Sequence, residues 1–144
     1  MSAIIVDASV GIKWFLPEVH AAEARAWRHG PDELHVPAFF FDLEIANVLW
    51  KKVHRAEVTR EDADLILGQL PSLPVSRHAE APLLAPAFDL ADRTQRTVYD
   101  CLYLALAVQL GGRMLTADER LYHSLAAPPF APYVVWVAET PAGL

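Results

Sequence analysis

The residues Ala3-Ile4-Ile5-Val6 form a short apolar stretch that ends directly at Asp7. A run of this composition is typical of a strand buried on both faces, as strands are in parallel sheets. Four more stretches have strand character, and Pro74 favours an edge position for one of them. The predicted strands are 3–6, 34–36, 73–76, 113–116 and 133–137. Because helical stretches separate them, we predict an α/β fold with a mainly parallel sheet.

The stretches between the strands have apolar residues at helical spacing or compositions that favour helices. Stretch 98–110 is apolar almost all round, as a helix buried against a sheet is, and Gly111 ends it. Pro82 and Pro86 are unfavourable in the early turns of stretch 78–92. The predicted helical segments are 8–16, 18–29, 39–55, 59–70, 78–92, 98–110 and 119–125.

Length and composition limit the classes of protein to which the chain can belong. With 144 residues it has the size of one domain, predicted over 1–144. Hydrophobic residues make up 53% and charged residues 21%, which excludes a disordered chain. No apolar run approaches the ~18 residues that span a bilayer, so we expect no membrane partner. The N-terminus lacks a basic leader and the single cysteine, Cys101, allows no internal disulfide, so we expect a cytoplasmic protein.

The formal net charge of −6 is unusual for a protein that binds nucleic acid, because such proteins usually carry a basic surface. The discrepancy becomes smaller if several acids gather at one site where divalent cations neutralise them. The remaining basic residues could then form local patches. Net charge therefore argues modestly against a nucleic-acid ligand.

Four acidic residues stand out by their surroundings. Asp7 ends the first strand, Asp118 follows the fourth, Glu44 lies in a mostly apolar helix, and Asp100 is the only charged residue of stretch 98–110. Charged residues are rarely buried without a partner. Each acid also has a structural explanation. Asp7 and Asp118 could cap the helices that follow them, Asp100 could interact with a helix dipole, and Glu44 could face solvent.

The positions of the four acids together favour a shared site. Parallel sheets bind ligands outside the carboxyl ends of their strands, where Asp7 and Asp118 lie, and the helices of Glu44 and Asp100 can reach the same crevice. Two unit charges about 4 Å apart repel by about 4 kcal/mol at an effective dielectric near 20, so four converging carboxylates would require cations. Oxygen ligands suit Mg²⁺ or Mn²⁺ rather than zinc. Such ions support hydrolysis of phosphodiesters.

Each of these acids lies within a longer motif. The first motif is Val6-Asp7-Ala8-Ser9-Val10, followed by Lys13-Trp14-Phe15-Leu16-Pro17-Glu18. The second is Leu43-Glu44-Ile45-Ala46-Asn47-Val48-Leu49, and the third is Thr97-Val98-Tyr99-Asp100-Cys101-Leu102-Tyr103-Leu104-Ala105-Leu106-Ala107. The fourth is Thr116-Ala117-Asp118-Glu119-Arg120-Leu121. In this order they resemble the motifs of PIN-domain proteins, most closely the VapC-type toxins of type II toxin–antitoxin pairs. Two features depart from that pattern: Cys101 stands where alanine is usual, and prolines occur between Pro82 and Pro86.

The resemblance implies a three-layer α/β/α sandwich and an endoribonuclease that requires Mg²⁺, with Mn²⁺ able to substitute. It implies a homodimer, a VapB-like antitoxin that inserts a segment into the active site, and tRNA or another single-stranded RNA as the substrate. The implied catalytic residues and metal ligands are Asp7, Glu44, Asp100 and Asp118. Ser9 and Thr116 are then expected to orient the carboxylates or a metal-bound water, although their hydroxyls could instead cap backbone amides.

Several basic residues are candidates for contact with the phosphates of RNA, which give affinity without sequence choice. They are Lys13, Lys51, Lys52, Arg55 and Arg96. The alternative for the run after residue 50 is a solvated helix end that complements the helix dipole.

Two other functions are open at the sequence level. A phosphatase with an aspartyl nucleophile would have a second acid two residues after Asp7, where Ser9 stands instead. P-loop and dinucleotide-binding motifs are also absent. A non-catalytic PIN-like module that binds RNA or protein is disfavoured, because all four acids are present.

Overall fold

The computed structural model describes residues 2–141, in which five parallel strands form one sheet. The strands are β1 (Ala3–Val6), β2 (Glu33–Pro37), β3 (Ser76–His78), β4 (Arg113–Thr116) and β5 (Val134–Trp136). Their order in the sheet is β3-β2-β1-β4-β5. The chain therefore places β2 and β3 on one side of β1, and then β4 and β5 on the other side. The predicted α/β fold with a mainly parallel sheet is confirmed.

Seven α-helices connect the strands of the described region. They are α1 (Ala8–Gly11), α2 (Ala21–Arg28), α3 (Phe40–His54), α4 (Arg60–Gln69), α5 (Leu84–Thr94), α6 (Val98–Leu110) and α7 (Glu119–Leu125). Ile4, Ile5 and Val6, whose side chains alternate between the two faces of the sheet, are all fully buried. Both faces are therefore covered, as the predicted three-layer arrangement requires.

The predictions for residues 73–92 are wrong in position. Residues 70–72 form a 3₁₀ turn, and strand pairing begins only after Pro74, at Ser76, because proline has no amide hydrogen to donate. His78 is therefore the last residue of β3 and not the first of a helix. Pro82 lies in a second 3₁₀ turn, and Pro86 falls in the first turn of α5, where an amide hydrogen has no helical partner. The predicted edge position of this strand is correct, since β3 is outermost.

The region between β1 and β2 contains less helix than predicted. Stretch 8–16 divides into α1 and a 3₁₀ turn over Ile12–Trp14. The next helix begins at Ala21 rather than at residue 18, because His20 has a φ of 65°, which a right-handed helix does not allow. The remaining predicted elements agree with the observed bounds to within two residues, which is the usual uncertainty of element ends.

Two consecutive glycines connect the most buried helix to the centre of the sheet. Gly111 ends α6 with a φ of 63°, in the left-handed region that glycine adopts without strain. Gly112 lies directly against the backbone oxygen of Ala3, leaving no space there for a Cβ atom. This close approach lets β4 begin beside β1.

Within residues 2–141, no helix is both long and apolar enough to cross a membrane.

Candidate active site

Asp7 and Asp118 follow the carboxyl ends of β1 and β4. These neighbouring strands flank the switch point, where the chain passes from one side of the sheet to the other. β1 pairs with β4 through Val6 and Leu115, and the Asp7 amide donates a 3.0 Å hydrogen bond to the Leu115 oxygen. Asp118 follows β4 by two residues. Open parallel sheets bind their ligands at such a switch point. The strand order therefore places both acids at the edge where a ligand is expected.

The carboxylate of Asp7 is buried and held by two hydroxyl groups. Ser9 Oγ and Thr116 Oγ1 each donate a 2.8 Å hydrogen bond to Asp7 Oδ2. The same hydroxyls accept hydrogen bonds from backbone amides, Ser9 from Ala117 at 3.0 Å and Thr116 from Asp118 at 3.1 Å. Both roles considered for Ser9 and Thr116 are thus present at once: they orient a carboxylate and bind backbone amides.

Glu44 reaches the same region from α3. Its side chain is partly buried, and the Tyr103 hydroxyl on α6 donates a short hydrogen bond to Glu44 Oε1. Burial and the nearby carboxylates raise the pKa of Tyr103 well above its ordinary value, so the phenol keeps the proton that it donates. The solvent-facing alternative for Glu44 is therefore wrong. Sequence reasoning missed Tyr103, although it lies one helical turn after Asp100 in an apolar helix.

Asp100 and Asp118 lie at helix N-termini. Asp100 is in the first turn of α6, where its amide donates to Thr97 Oγ1 at 3.1 Å. Asp118 caps α7, because its Oδ1 accepts a 3.1 Å hydrogen bond from the Leu121 amide. The structural explanations considered for these two acids are therefore present in the fold. Asp7 differs, since its side chain forms no cap hydrogen bond to α1.

Burial and neighbouring carboxylates together raise the pKa values of Asp7 and Glu44. Burial raises the pKa of Asp7 to about 6 and that of Glu44 to about 7. The hydroxyls of Ser9 and Thr116 oppose the change at Asp7, and that of Tyr103 opposes it at Glu44, while Asp100 adds repulsion at both and Asp118 at Asp7.

The pKa of Asp100 is also raised, mainly by burial and further by Asp118, while the Thr97 hydroxyl and Arg96 lower it. The fold thus brings Asp7 within electrostatic reach of the other three acids, and Asp100 within reach of Glu44 and Asp118.

The carboxylate oxygens of the four acids are suitable ligands for a hard divalent cation. In this arrangement, however, the side chains are too far apart to share one ion. Each acid keeps at least one carboxylate oxygen without a hydrogen-bond donor in the described part of the chain. Among residues 2–141, no three Asp, Glu, His or Cys side chains lie close enough to ligate one ion as they stand. Ion binding by this set would therefore require the carboxylates to approach one another.

Comparison with known proteins assigns the family. The sequence model of the PIN domain matches residues 4–124, which include all four acids. The chain belongs to the PIN-domain family. Ribonuclease VapC3 of Pyrobaculum aerophilum is 34% identical to this PIN protein over 129 residues, which are 86% of this chain and 95% of the relative. Ribonuclease VapC3 of Mycobacterium tuberculosis is 33% identical over 118 residues, covering 82% and 84% of the two chains.

The solved structures support the fold of this PIN domain. The crystal structure of PAE2754 from Pyrobaculum aerophilum superposes with a TM-score of 0.71 at 21% identity, covering 94% of this chain and 91% of that one. At this low identity the likeness concerns the fold alone. The sheet architecture of this chain therefore occurs in a solved structure as well.

The helix that carries Glu44 in this PIN domain is fixed at its start by an acid that sequence reasoning missed. Glu80 Oε2 accepts hydrogen bonds of 2.6 Å from the amides of both Phe39 and Phe40. These amides would otherwise have no partner, because α3 begins at Phe40 and its cap residue offers no side-chain hydrogen bond. The contact joins residues 41 and 40 positions apart, so no sequence spacing indicates it.

The basic residues predicted to contact RNA fall into two pairs and one separate residue, Arg96. Lys13 and Lys52 both bind Glu18, with Nζ to oxygen distances of 3.3 and 2.8 Å, so their charges are partly neutralised within the protein. Lys51 is exposed on the same face of α3 as Glu44, two turns further along, and the exposed Arg55 directly follows the last residue of α3. Arg96 precedes the first residue of the Asp100 motif. Contact of these basic residues with RNA stays a prediction.

Proposed function

We propose that this PIN-domain protein is a Mg²⁺-dependent endoribonuclease that hydrolyses RNA, with Mn²⁺ able to substitute, and that it is the toxin of a toxin–antitoxin pair. The observation that carries the proposal is the position of Asp7 and Asp118 at the ends of the two strands flanking the switch point. Glu44 lies within electrostatic reach of Asp7, and Asp100 lies within reach of both Asp7 and Asp118. Two relatives that match most of the chain are named ribonucleases.

The proposed metal ligands are Asp7, Glu44, Asp100 and Asp118. Bound there, a divalent ion would activate water and stabilise charge on the phosphodiester. The protein contributes by orienting the proposed ligands: Ser9 and Thr116 fix the Asp7 carboxylate, and Tyr103 donates a hydrogen bond to one oxygen of Glu44.

A cleavage assay tests the proposal. The purified protein is incubated with single-stranded RNA and with tRNA in Mg²⁺, in Mn²⁺ and in EDTA, beside the isosteric variant Asp7→Asn. We expect cleavage by the wild type only when a divalent ion is present, and a loss of at least 100-fold in the variant, because one ligand loses its charge. Equal cleavage by both proteins would indicate a contaminating nuclease. No cleavage by the wild type, with RNA binding retained, would favour the non-catalytic PIN-like module.

We also propose a VapB-like antitoxin, a homodimer and a cytoplasmic location. The support is the amount of apolar surface that the described residues leave exposed, since large apolar patches mark sites of protein contact. Trp50 is 63% exposed beside a groove between α3 and α4, and Phe88 is 69% exposed on α5. Cys101 is free and buried, as a protein of a reducing compartment allows. Light scattering of the purified protein, alone and with the product of a neighbouring small gene, measures both assemblies.

A further inference from the structure

A depression of about 470 Å³ lies beside two of the candidate catalytic acids. Its lining residues are Arg96, Glu119, Arg120, His123 and Ser124. Arg96 directly precedes Thr97, the cap of the helix that carries Asp100, and Glu119 directly follows Asp118. The depression therefore continues the same edge of the sheet, outside the cluster of acids. We refer to it as the arginine pocket.

The two arginines of this pocket form no ion pair within the described part of the chain, although Arg96 is close enough to Asp100 to lower its pKa. Within residues 2–141, neither Arg96 nor Arg120 lies within 4 Å of a carboxylate oxygen, whereas Arg60, Arg77 and Arg93 each do. The Nε atom of Arg96 is buried and has no hydrogen-bond partner among the described residues. A buried donor without an acceptor costs stability, and a bound ligand with several acceptor oxygens would remove that cost.

The chemistry of the pocket matches a phosphodiester group. Guanidinium groups bind phosphate oxygens in pairs, and the imidazole of His123 adds a hydrogen-bond donor, whereas the Ser124 hydroxyl already donates to the Leu121 oxygen at 2.8 Å. Four carboxylates repel a polyanionic substrate, so an RNA positioned across the acids needs cations close to its next phosphates. Glu119 is the only carboxylate that lines the pocket in the described region.

We propose that the arginine pocket binds a phosphate of RNA adjacent to the bond that is cut, with Arg96 and Arg120 as its principal ligands. The inference rests on the proposed function, since it names a substrate subsite for that reaction. An acidic segment of a protein partner has a related charge. RNA is the favoured occupant because the pocket adjoins the acids, where successive phosphates of one strand can occupy both places.

The test measures binding without catalysis. The probe is a fluorescein-labelled, single-stranded 12-nucleotide RNA of mixed sequence with 2′-O-methyl riboses, titrated in EDTA and followed by fluorescence anisotropy. Arg120→Gln is compared with Arg25→Gln, which removes the same charge from an exposed position on α2. Thermal melting establishes that both variants are folded.

We expect Arg120→Gln to weaken binding about tenfold at low salt and to reduce the slope of log K against log salt by about 0.7 to 1, as loss of one phosphate contact does. Arg25→Gln should change neither quantity, and Arg120→Lys should restore part of the affinity because it restores the charge. Equal behaviour of Arg120→Gln and Arg25→Gln would overturn the inference, as would a wild-type protein that does not bind the probe.

Two further measurements separate the possible failures. Binding of a poly-glutamate peptide that depends on Arg120, together with RNA binding that does not, would assign the pocket to an acidic protein partner and overturn the RNA proposal. If RNA binding depends on Arg120 but no RNA is cleaved in Mg²⁺ or Mn²⁺, the pocket stands as an RNA site and the nuclease proposal fails. If RNA is cleaved and Arg120→Gln raises neither KM nor the dissociation constant, the pocket proposal fails alone.

Discussion

Thr116 on β4 donates a 2.8 Å hydrogen bond to the carboxylate of Asp7 at the end of β1. The two residues are 109 positions apart in the chain but lie across adjacent strands. Thr116 is fully buried, and its hydroxyl also accepts from the Asp118 amide. One hydroxyl thus fixes the geometry of the first and the last of the four candidate ligands.

Replacing Thr116 by valine tests this arrangement. Thr116→Val keeps the shape of the side chain but removes the donor to Asp7 and the acceptor for Asp118, so we expect a 10- to 100-fold loss of metal affinity and cleavage. Thr116→Ser should restore most of both, because it restores the hydroxyl. Isothermal titration with Mn²⁺ and a cleavage assay give the two readouts. Unchanged metal affinity in the valine variant would show that the hydrogen bond does not position a ligand.

Because Asp7 is buried, we expect the free energy of unfolding of the metal-free protein to fall as the pH rises. Its pKa is raised on folding from 3.8 to about 6, so protonated Asp7 favours the folded state and this contribution is lost between about pH 4 and pH 6. At pH 8 in EDTA, Asp7→Asn should therefore be more stable than the wild type, by up to about 3 kcal/mol. At pH 4 the two proteins should be equally stable.

Urea unfolding at the two pH values measures the difference. Asp92→Asn, at an exposed position, is the control and should alter stability little at either pH. A variant at residue 7 that is less stable than the wild type at pH 8 would contradict the argument from burial.

Divalent cations should stabilise the wild type by relieving the same repulsion. At a concentration 100 times the dissociation constant, a ligand that binds only the folded state adds about 2.7 kcal/mol, or roughly 5–10 °C in Tm for a domain of this size. Asp7→Asn should show little of this increase. Thermal melting at pH 8 with Mn²⁺, with Mg²⁺ and with EDTA gives the comparison; an equal rise in both proteins would place the ion elsewhere.

The hydrogen bond from Tyr103 to Glu44 should influence the pH at which RNA cleavage begins. Burial raises the pKa of Glu44 to about 7, and the hydrogen bond from Tyr103 opposes this rise. In Tyr103→Phe the pKa of Glu44 should be higher, so the rising part of the pH–rate profile should move toward alkaline pH. Tyr122→Phe, at a tyrosine outside the cluster of acids, is the matched control. A profile that does not move would show that ionisation of Glu44 does not limit cleavage.

The pairing of two lysines with Glu18 predicts which basic residues contribute to RNA affinity. Lys52→Gln and Lys13→Gln should weaken RNA binding less than Lys51→Gln, because Glu18 already neutralises part of their charge. Anisotropy with a labelled single-stranded RNA in EDTA measures this order. The reverse order would mean that the lysines leave Glu18 when RNA binds.

Local signals predicted most of the fold. β-branched runs, a helix without polar faces and glycine stops all act over a few residues, which is why β1, α6 and β4 have the predicted bounds. Residues 73–92 were predicted less well because their prolines change the start of both β3 and α5. A proline excludes an amide hydrogen bond at one position, but where the chain resumes regular structure depends on tertiary pairing, here between His35 and Ser76.

The candidate site shows a similar division. The four acids could be identified because Glu44 and Asp100 are charges in apolar helices, and Asp7 and Asp118 follow the ends of predicted strands. Tyr103 and Glu80 could not, because their partners lie 59 and about 40 residues away and only the folded chain brings them together. Likewise, the neutralisation of Lys52 by Glu18 depends on α3 crossing the segment after α1, which no local pattern encodes.

The order of strands in the sheet bears on when the protein can become active during its synthesis. β1 is made first, but its neighbour on one side is β4, whose last residue is Thr116. A ribosome-bound chain that ends before this point has neither the hydroxyl that holds Asp7 nor the carboxylate of Asp118. A chain that stops short of residue 118 therefore carries Asp7 without these partners, so fragments of that length should not cleave RNA.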